Sequence, residues 1–90
     1  MPTTWGLPAF KEVPRHTNAL AVDRWLNAGA VIFGKTNTPE FGARNVTEPK
    51  AFGPTRNPWD PERTVAGSSG GEASAIASGM SPLGLGNDIG

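Results

Sequence analysis

The sequence has no cysteine and a single histidine, His16. The first absence excludes a disulfide framework and any thiolate metal site. The second excludes a histidine-cluster metal site, and no metal or other cofactor is expected. Neither sign of charge is in surplus, because 8 Lys and Arg face 8 Asp and Glu. A chain with no basic excess lacks the usual electrostatic footprint for nucleic acid or an anionic membrane, so neither is expected as a partner. No apolar run approaches the roughly 18 residues of a membrane span, and no charged-then-apolar leader follows Met1. Leu, Ile, Val and Phe supply 17 of the 90 residues, just under the roughly one-fifth share associated with disorder. Disorder also needs high net charge, which is absent here.

Glycine and proline are abundant, at 12 and 9 residues. The chain therefore reads as loop-rich, with a thin core of its own. Residues 1–16 hold three prolines and no periodicity, the pattern of an extended loop. Residues 17–28 predict a helix, with Thr17 or Asn18 as cap and Val22, Trp25 and Leu26 on one face. Gly29 suits the left-handed position just past its end. Ala30-Val31-Ile32-Phe33 then forms a short uninterrupted apolar run, the pattern of a strand buried on both faces. Helix, glycine turn and buried strand together predict an α/β fold. Thr38-Pro39-Glu40-Phe41 reads as a short helix start capped by Thr38. Residues 45–64 are loop again. Ser69 and Glu72 have capping-box spacing, which predicts a helix from about Gly70 to Ser78, ended by Gly79. Residues 82–86 are the candidate for a second buried strand.

Two motif matches lead elsewhere than they first suggest. Gly29 to Thr36 spells the phosphate-binding pattern G-x-x-x-x-G-K-T. In that loop a strand precedes the first glycine and a helix starts at the lysine. Here the variable residues are themselves the apolar strand, and Asn37, Thr38 and Pro39 follow the lysine. Burying this backbone and offering it to a phosphate are incompatible. Gly67-Ser68-Ser69-Gly70-Gly71 likewise spells G-x-S-x-G, with Ser69 at the nucleophile position of an α/β-hydrolase elbow. That fold needs a downstream acid and histidine, and the lone histidine lies upstream. His16, among prolines and charges, reads as a solvated surface residue. Asn45-Val46-Thr47 is a glycosylation triplet, read as chance in a chain with no secretory leader. Trp5, Trp25 and Trp59 share no period, and packing is the expectation for each.

The stretch from Thr64 to Gly90 closely resembles the signature segment of the amidase signature family. Met1 to Trp5, Gly29 to Asn37, Pro39 to Phe41 and Asn57 to Pro61 resemble further family segments, in family order and spacing. The resemblance implies a mixed β-sheet core covered by helices, α/β in class, of which residues 1–90 are a partial amidase domain truncated at both ends, with Met1 internal. It implies a hydrolase of carboxylic acid amides working through a Ser–cis-Ser–Lys triad. Ser68 matches the bridging serine, with a cis peptide bond between Gly67 and Ser68. Gly67, Ser69, Gly70 and Gly71 would support the serine loop. Asp88-Ile89-Gly90 matches the start of the nucleophile motif, so main-chain N–H groups at Ile89 and Gly90 would serve the oxyanion hole. The nucleophile would stand two residues beyond Gly90. The triad lysine would precede the segment matched by Met1 to Thr4, and Lys11, Lys35 and Lys50 do not occupy its place.

The resemblance further implies a small-molecule amide substrate, no cofactor and a cytoplasmic protein. Two positions depart from the family pattern. Asn87 stands where threonine is usual, and Ala66 replaces the first of two glycines before the serines. Two alternatives stay open: a catalytically inactive remnant, and the family's amidotransferase subunit, which works on aminoacyl-tRNA with partner subunits. The wording of Leu85 to Gly90 looks more like the general amidases.

Overall fold

A computed structural model of the protein describes residues 1–88. The predicted first helix is α1, Leu20–Asn27. It starts three residues later than expected. Ala19 caps it with extended backbone and no side-chain bond, because Asn18 donates instead to Asp23 Oδ1 at 2.9 Å. At the other end Gly29 adopts φ +86°. Its N–H bonds to Leu26 O at 3.0 Å, and Ala30 N–H reaches Trp25 O at 3.0 Å. This pair of bonds satisfies the carbonyls that a helix end leaves free.

The second helix, α2, spans Gly70–Ala77 and ends in the same way. Gly79 has φ +75°, with Gly79 N–H on Ile76 O at 3.0 Å and Met80 N–H on Ala75 O at 2.9 Å. The expected helix at Thr38–Phe41 is a 3-10 turn at Glu40–Gly42, capped by Pro39 rather than Thr38. Phe41 sits at φ +55°, which stops the turn from growing into a helix.

The predicted strands do not form. Among the described residues there is no strand, only one antiparallel bridge between Arg56 and Thr64. Ala30 to Phe33 is extended, but Val31 is 85% exposed and Phe33 73% exposed. Residues 82–86 are also irregular, with Leu83 and Leu85 exposed. A strand is a pairing relation, and among the described residues neither run is paired. Trp59 is also solvent-exposed rather than packed.

What is buried is small and partly polar. Ala51 is the one buried hydrophobic residue among those described. Thr47 is wholly buried, as are Pro39 and Pro49. Thr47 is held from outside by Thr55, whose N–H bonds to its carbonyl at 2.9 Å. Asn37 Nδ2 donates to Gly53 O and to Thr55 Oγ1, both at 3.0 Å. Residues 1–7 fold onto the Glu40 turn. Phe41 N–H bonds to Trp5 O at 2.9 Å, and the two rings lie 6.2 Å apart. Gly6 packs so closely there that a Cβ would stand 2.8 Å from the backbone of Pro39 and Glu40. Loops thus converge on residues 37–55 and form a platform beneath the Gly67–Gly71 segment.

Candidate active site

The Gly67–Gly71 loop feeds the N-terminus of α2. Ala66 has φ +60°, and the Gly67–Ser68 peptide bond is cis. Ser68 is half-buried. Among the described residues no hydrogen bond holds its hydroxyl. It borders a hollow of about 230 Å³, shared with Val65, Ala73, Asn87 and Asp88.

Three supports grip this loop. Thr47 Oγ1 donates to Ala66 O at 2.9 Å and accepts the Gly70 N–H at 3.1 Å. The main-chain carbonyl of Asn37 accepts the Gly71 N–H at 3.2 Å. So the first amides of α2 are satisfied from distant loops, and not by a capping box. Ser69 and Glu72 have other partners, which corrects the expected reciprocal cap. Ser69 Oγ donates to Asn87 O at 3.1 Å and accepts Asn87 N–H at 3.0 Å. Glu72 Oε2 accepts from Thr36 Oγ1 at 2.7 Å. Both side chains gain long-range partners that an isolated helix could not offer them.

Close approaches require Gly70 and Gly71 and leave little room at Gly67. A Cβ on Gly70 would lie 2.3 Å from Thr47 Oγ1, and one on Gly71 2.4 Å from Asn37 N and O. A Cβ on Gly67 would stand 3.1 Å from Arg44 O, Val46 N and Thr47 Oγ1.

The geometry disposes of the decoy motifs. In a hydrolase elbow Ser69 would be free to attack, and the next N–H would serve the oxyanion. Here Ser69 Oγ is tied to residue 87, and Gly70 N–H is spent on Thr47. Around Lys35, helix α1 precedes Gly29 and no helix begins at the lysine. Lys35 Nζ instead bonds to Pro2 O and Thr3 Oγ1. Lys11 lies over the Phe52 ring at 4.7 Å. His16 is exposed. The hydroxyl of the Asn45–Thr47 triplet is buried inside the fold.

Asn87 is joined to the serine loop through its main chain alone. That contact does not depend on which side chain occupies position 87. Ile89 and Gly90, expected at the oxyanion hole, lie outside the described residues. No group of three or more His, Cys, Asp or Glu among the described residues is placed to hold a metal. No helix among them is long and apolar enough to cross a membrane. Away from the loop, Lys50 donates its main-chain N–H to Glu40 Oε1 at 2.9 Å. That bond holds the Glu40 carboxyl below its usual range, and Arg44 at 3.4 Å acts in the same direction.

Sequence reasoning placed the serine loop but missed Thr47 and Asn37. Thr47 entered only as part of a glycosylation triplet. Its role rests on contacts 19 to 23 residues away in the chain, and no local pattern announces them.

The family model described as Amidase matches residues 1–90. The chain is 53% identical over 90 residues to a glutamyl-tRNA(Gln) amidotransferase subunit of Methanosarcina mazei, spanning all of this chain and 19% of that protein. It is 46% identical over 96 residues to indoleacetamide hydrolase of Bradyrhizobium japonicum, spanning all of this chain and 21% of the relative. The solved structure of 6-aminohexanoate cyclic dimer hydrolase complexed with substrate superposes with a TM-score of 0.84 at 47% identity. That superposition covers 88% of this chain and 17% of the other. The chain thus spans about a fifth of the length of the curated relatives it matches. Its fold is a portion of theirs.

Proposed function

The chain belongs to the amidase family, and on that premise we propose that it supplies the bridging serine, Ser68, of a hydrolase acting on carboxylic acid amides. The observation that carries this reading is the setting of Ser68. The residue is half-buried and its hydroxyl is without a partner among the described residues, while the loop on either side of it is held. Ser69 is tied to residue 87, and Gly70 and Gly71 are tied to Thr47 and Asn37. A hydroxyl left free in a rigid frame is suited to relay a proton between two further groups.

In the family pattern those groups are a serine two residues beyond Gly90 and a lysine ahead of Met1. The lysine, kept neutral by burial, takes the proton of Ser68, and Ser68 takes the proton of the nucleophile. The nucleophile's oxygen bonds to the amide carbon, and the C–N bond breaks as the proton returns to the leaving nitrogen. Water then releases the acid from the acyl-enzyme. Main-chain N–H groups at Ile89 and Gly90 stabilise the oxyanion, each contributing about a hundred- to a thousandfold in rate.

A small amide is the substrate on this reading. Residues 1–90 act as part of a longer domain and hydrolyse no amide by themselves. No residue among those described is assigned to a cofactor. The test uses a full-length enzyme containing this stretch, assayed for ammonia or amine release. Ser68→Ala lowers kcat on the order of 10³- to 10⁴-fold with the fold intact. A variant with undiminished kcat would remove Ser68 from the mechanism.

The amidotransferase reading is favoured by one specific observation, the 53% identity to a subunit of that name. It shares the serine chemistry and differs in what accepts the nitrogen. Activity on simple amides without tRNA or partner subunits supports the amidase. Activity that appears only with both supports the amidotransferase, and the zero charge of this stretch then says nothing about the whole protein's partners.

A further inference from the structure

We infer that Thr47 is the positioning residue for Ser68, an inference that rests on the bridging role proposed above. Thr47 is wholly buried, the one buried polar side chain among the described residues. Its hydroxyl has one proton and two lone pairs. The proton goes to Ala66 O at 2.9 Å, and a lone pair takes Gly70 N–H at 3.1 Å. The carbonyl of Ser68 lies at 3.5 Å from the same oxygen.

One side-chain oxygen thus grips the loop two residues before Ser68 and two residues after it. Thr47 is anchored in turn by Thr55 N–H on its carbonyl. Gly70 admits this approach because it has no Cβ to block it, and a Cβ on Gly67 would crowd the same oxygen at 3.1 Å. A relay serine must keep hydrogen-bond distance to two partners at once. A displacement of about 1 Å costs on the order of a hundredfold in rate. Removing the Thr47 hydroxyl frees both flanks and leaves a buried N–H and its opposing C=O unpaired.

The test compares Thr47→Val and Thr47→Ser in the full-length enzyme. Valine keeps the volume and removes the hydroxyl, whereas serine keeps the hydroxyl. Rates are referred to active sites counted by the endpoint of labelling with a fluorophosphonate, which corrects for unfolded protein. Thr47→Val is expected to lower kcat per site about a hundredfold. KM is expected to stay within about twofold, since substrate contacts are untouched. Thr47→Ser is expected to retain most of kcat.

Unchanged kcat per site in Thr47→Val overturns the inference, and so does a serine variant as slow as the valine one. If Thr47→Val does not accumulate folded, Thr47→Cys replaces it, keeping volume with a weak donor. Full activity in that variant also overturns the inference. Ser68→Ala serves as the reference. If it is fully active, the bridging role itself fails. If it is inactive while Thr47→Val is unimpaired, only the positioning role fails.

Discussion

The Gly67–Gly71 loop and the segment from Leu20 to Phe33 are organised by opposite means. The loop is held by hydrogen bonds to Thr47, Asn37 and residue 87, and by glycines pressed against backbone. Its residues are small and polar, yet Gly70 and Gly71 are buried, as is the Thr47 that grips the loop. The Leu20–Phe33 segment is apolar, yet no residue of α1 is buried, and Leu20, Val31 and Phe33 are exposed. Burial and hydrophobicity are therefore inverted between the two. The polar region is held by hydrogen bonds that close within the described residues. The apolar region has surface in excess of what these residues cover. We read that excess as the face that meets the remainder of the domain, in keeping with a chain spanning a fifth of its relatives.

Substitutions at the two regions should separate them further. The largest effect belongs to Gly71→Ala, whose Cβ would stand 2.4 Å from backbone atoms of Asn37. Backbone cannot swing aside as a side chain can, so a loss of about 3 kcal/mol is expected in urea titration of the full-length protein. A loss below about 0.5 kcal/mol would mean that the platform is pliable. A smaller, pH-dependent effect is expected at Glu40. Its carboxyl is held below the usual range, first by the Lys50 N–H. A lowered folded-state value means that stability is fully present above the ordinary glutamate pKa. It fades as pH falls through that value and is gone below the lowered one. Glu40→Gln should flatten this acid limb in a pH series of thermal melts, and an unchanged limb would assign it to other carboxylates.

The smallest effect is expected at Phe33→Ser in the 90-residue chain. The side chain is 73% exposed, so the change should stay within about 0.5 kcal/mol. The same substitution in the full-length protein should cost about 3 kcal/mol once another element covers Phe33. Equal costs in the two settings would erase the contrast between the regions.

Much of the local structure was legible. Gly29 and Gly79 were readable as helix stops, because glycine adopts positive φ without a Cβ penalty. Both helices were found, α2 within one residue of its end. The start of α1 was placed early because Asn18 had a choice of partners, and it took the Asp23 side chain. The capping box at Ser69 and Glu72 failed for the same reason, with Asn87 and Thr36 winning those side chains. The strands were illegible as pairings. Ala30 to Phe33 has the composition of a buried strand, but composition supplies no neighbour.

The candidate site divides along the same line. Ser68 could be singled out for the proposal because its motif is contiguous and the flanking segments keep family order. Thr47 and Asn37 could not, since their partners lie far along the chain.

By itself, then, the sequence determined the family, the two short helices, their glycine stops and the identity of the serine loop. These follow from backbone preferences and contiguous motifs, which act over a few residues. Only the tertiary structure decided which hydroxyl caps α2, which serine is tied and which is free, and which apolar residues stay exposed. A hydroxyl or carboxylate has several possible partners within a few ångströms. The choice among them is made by loops that meet in space, and that meeting is encoded in no single stretch of chain.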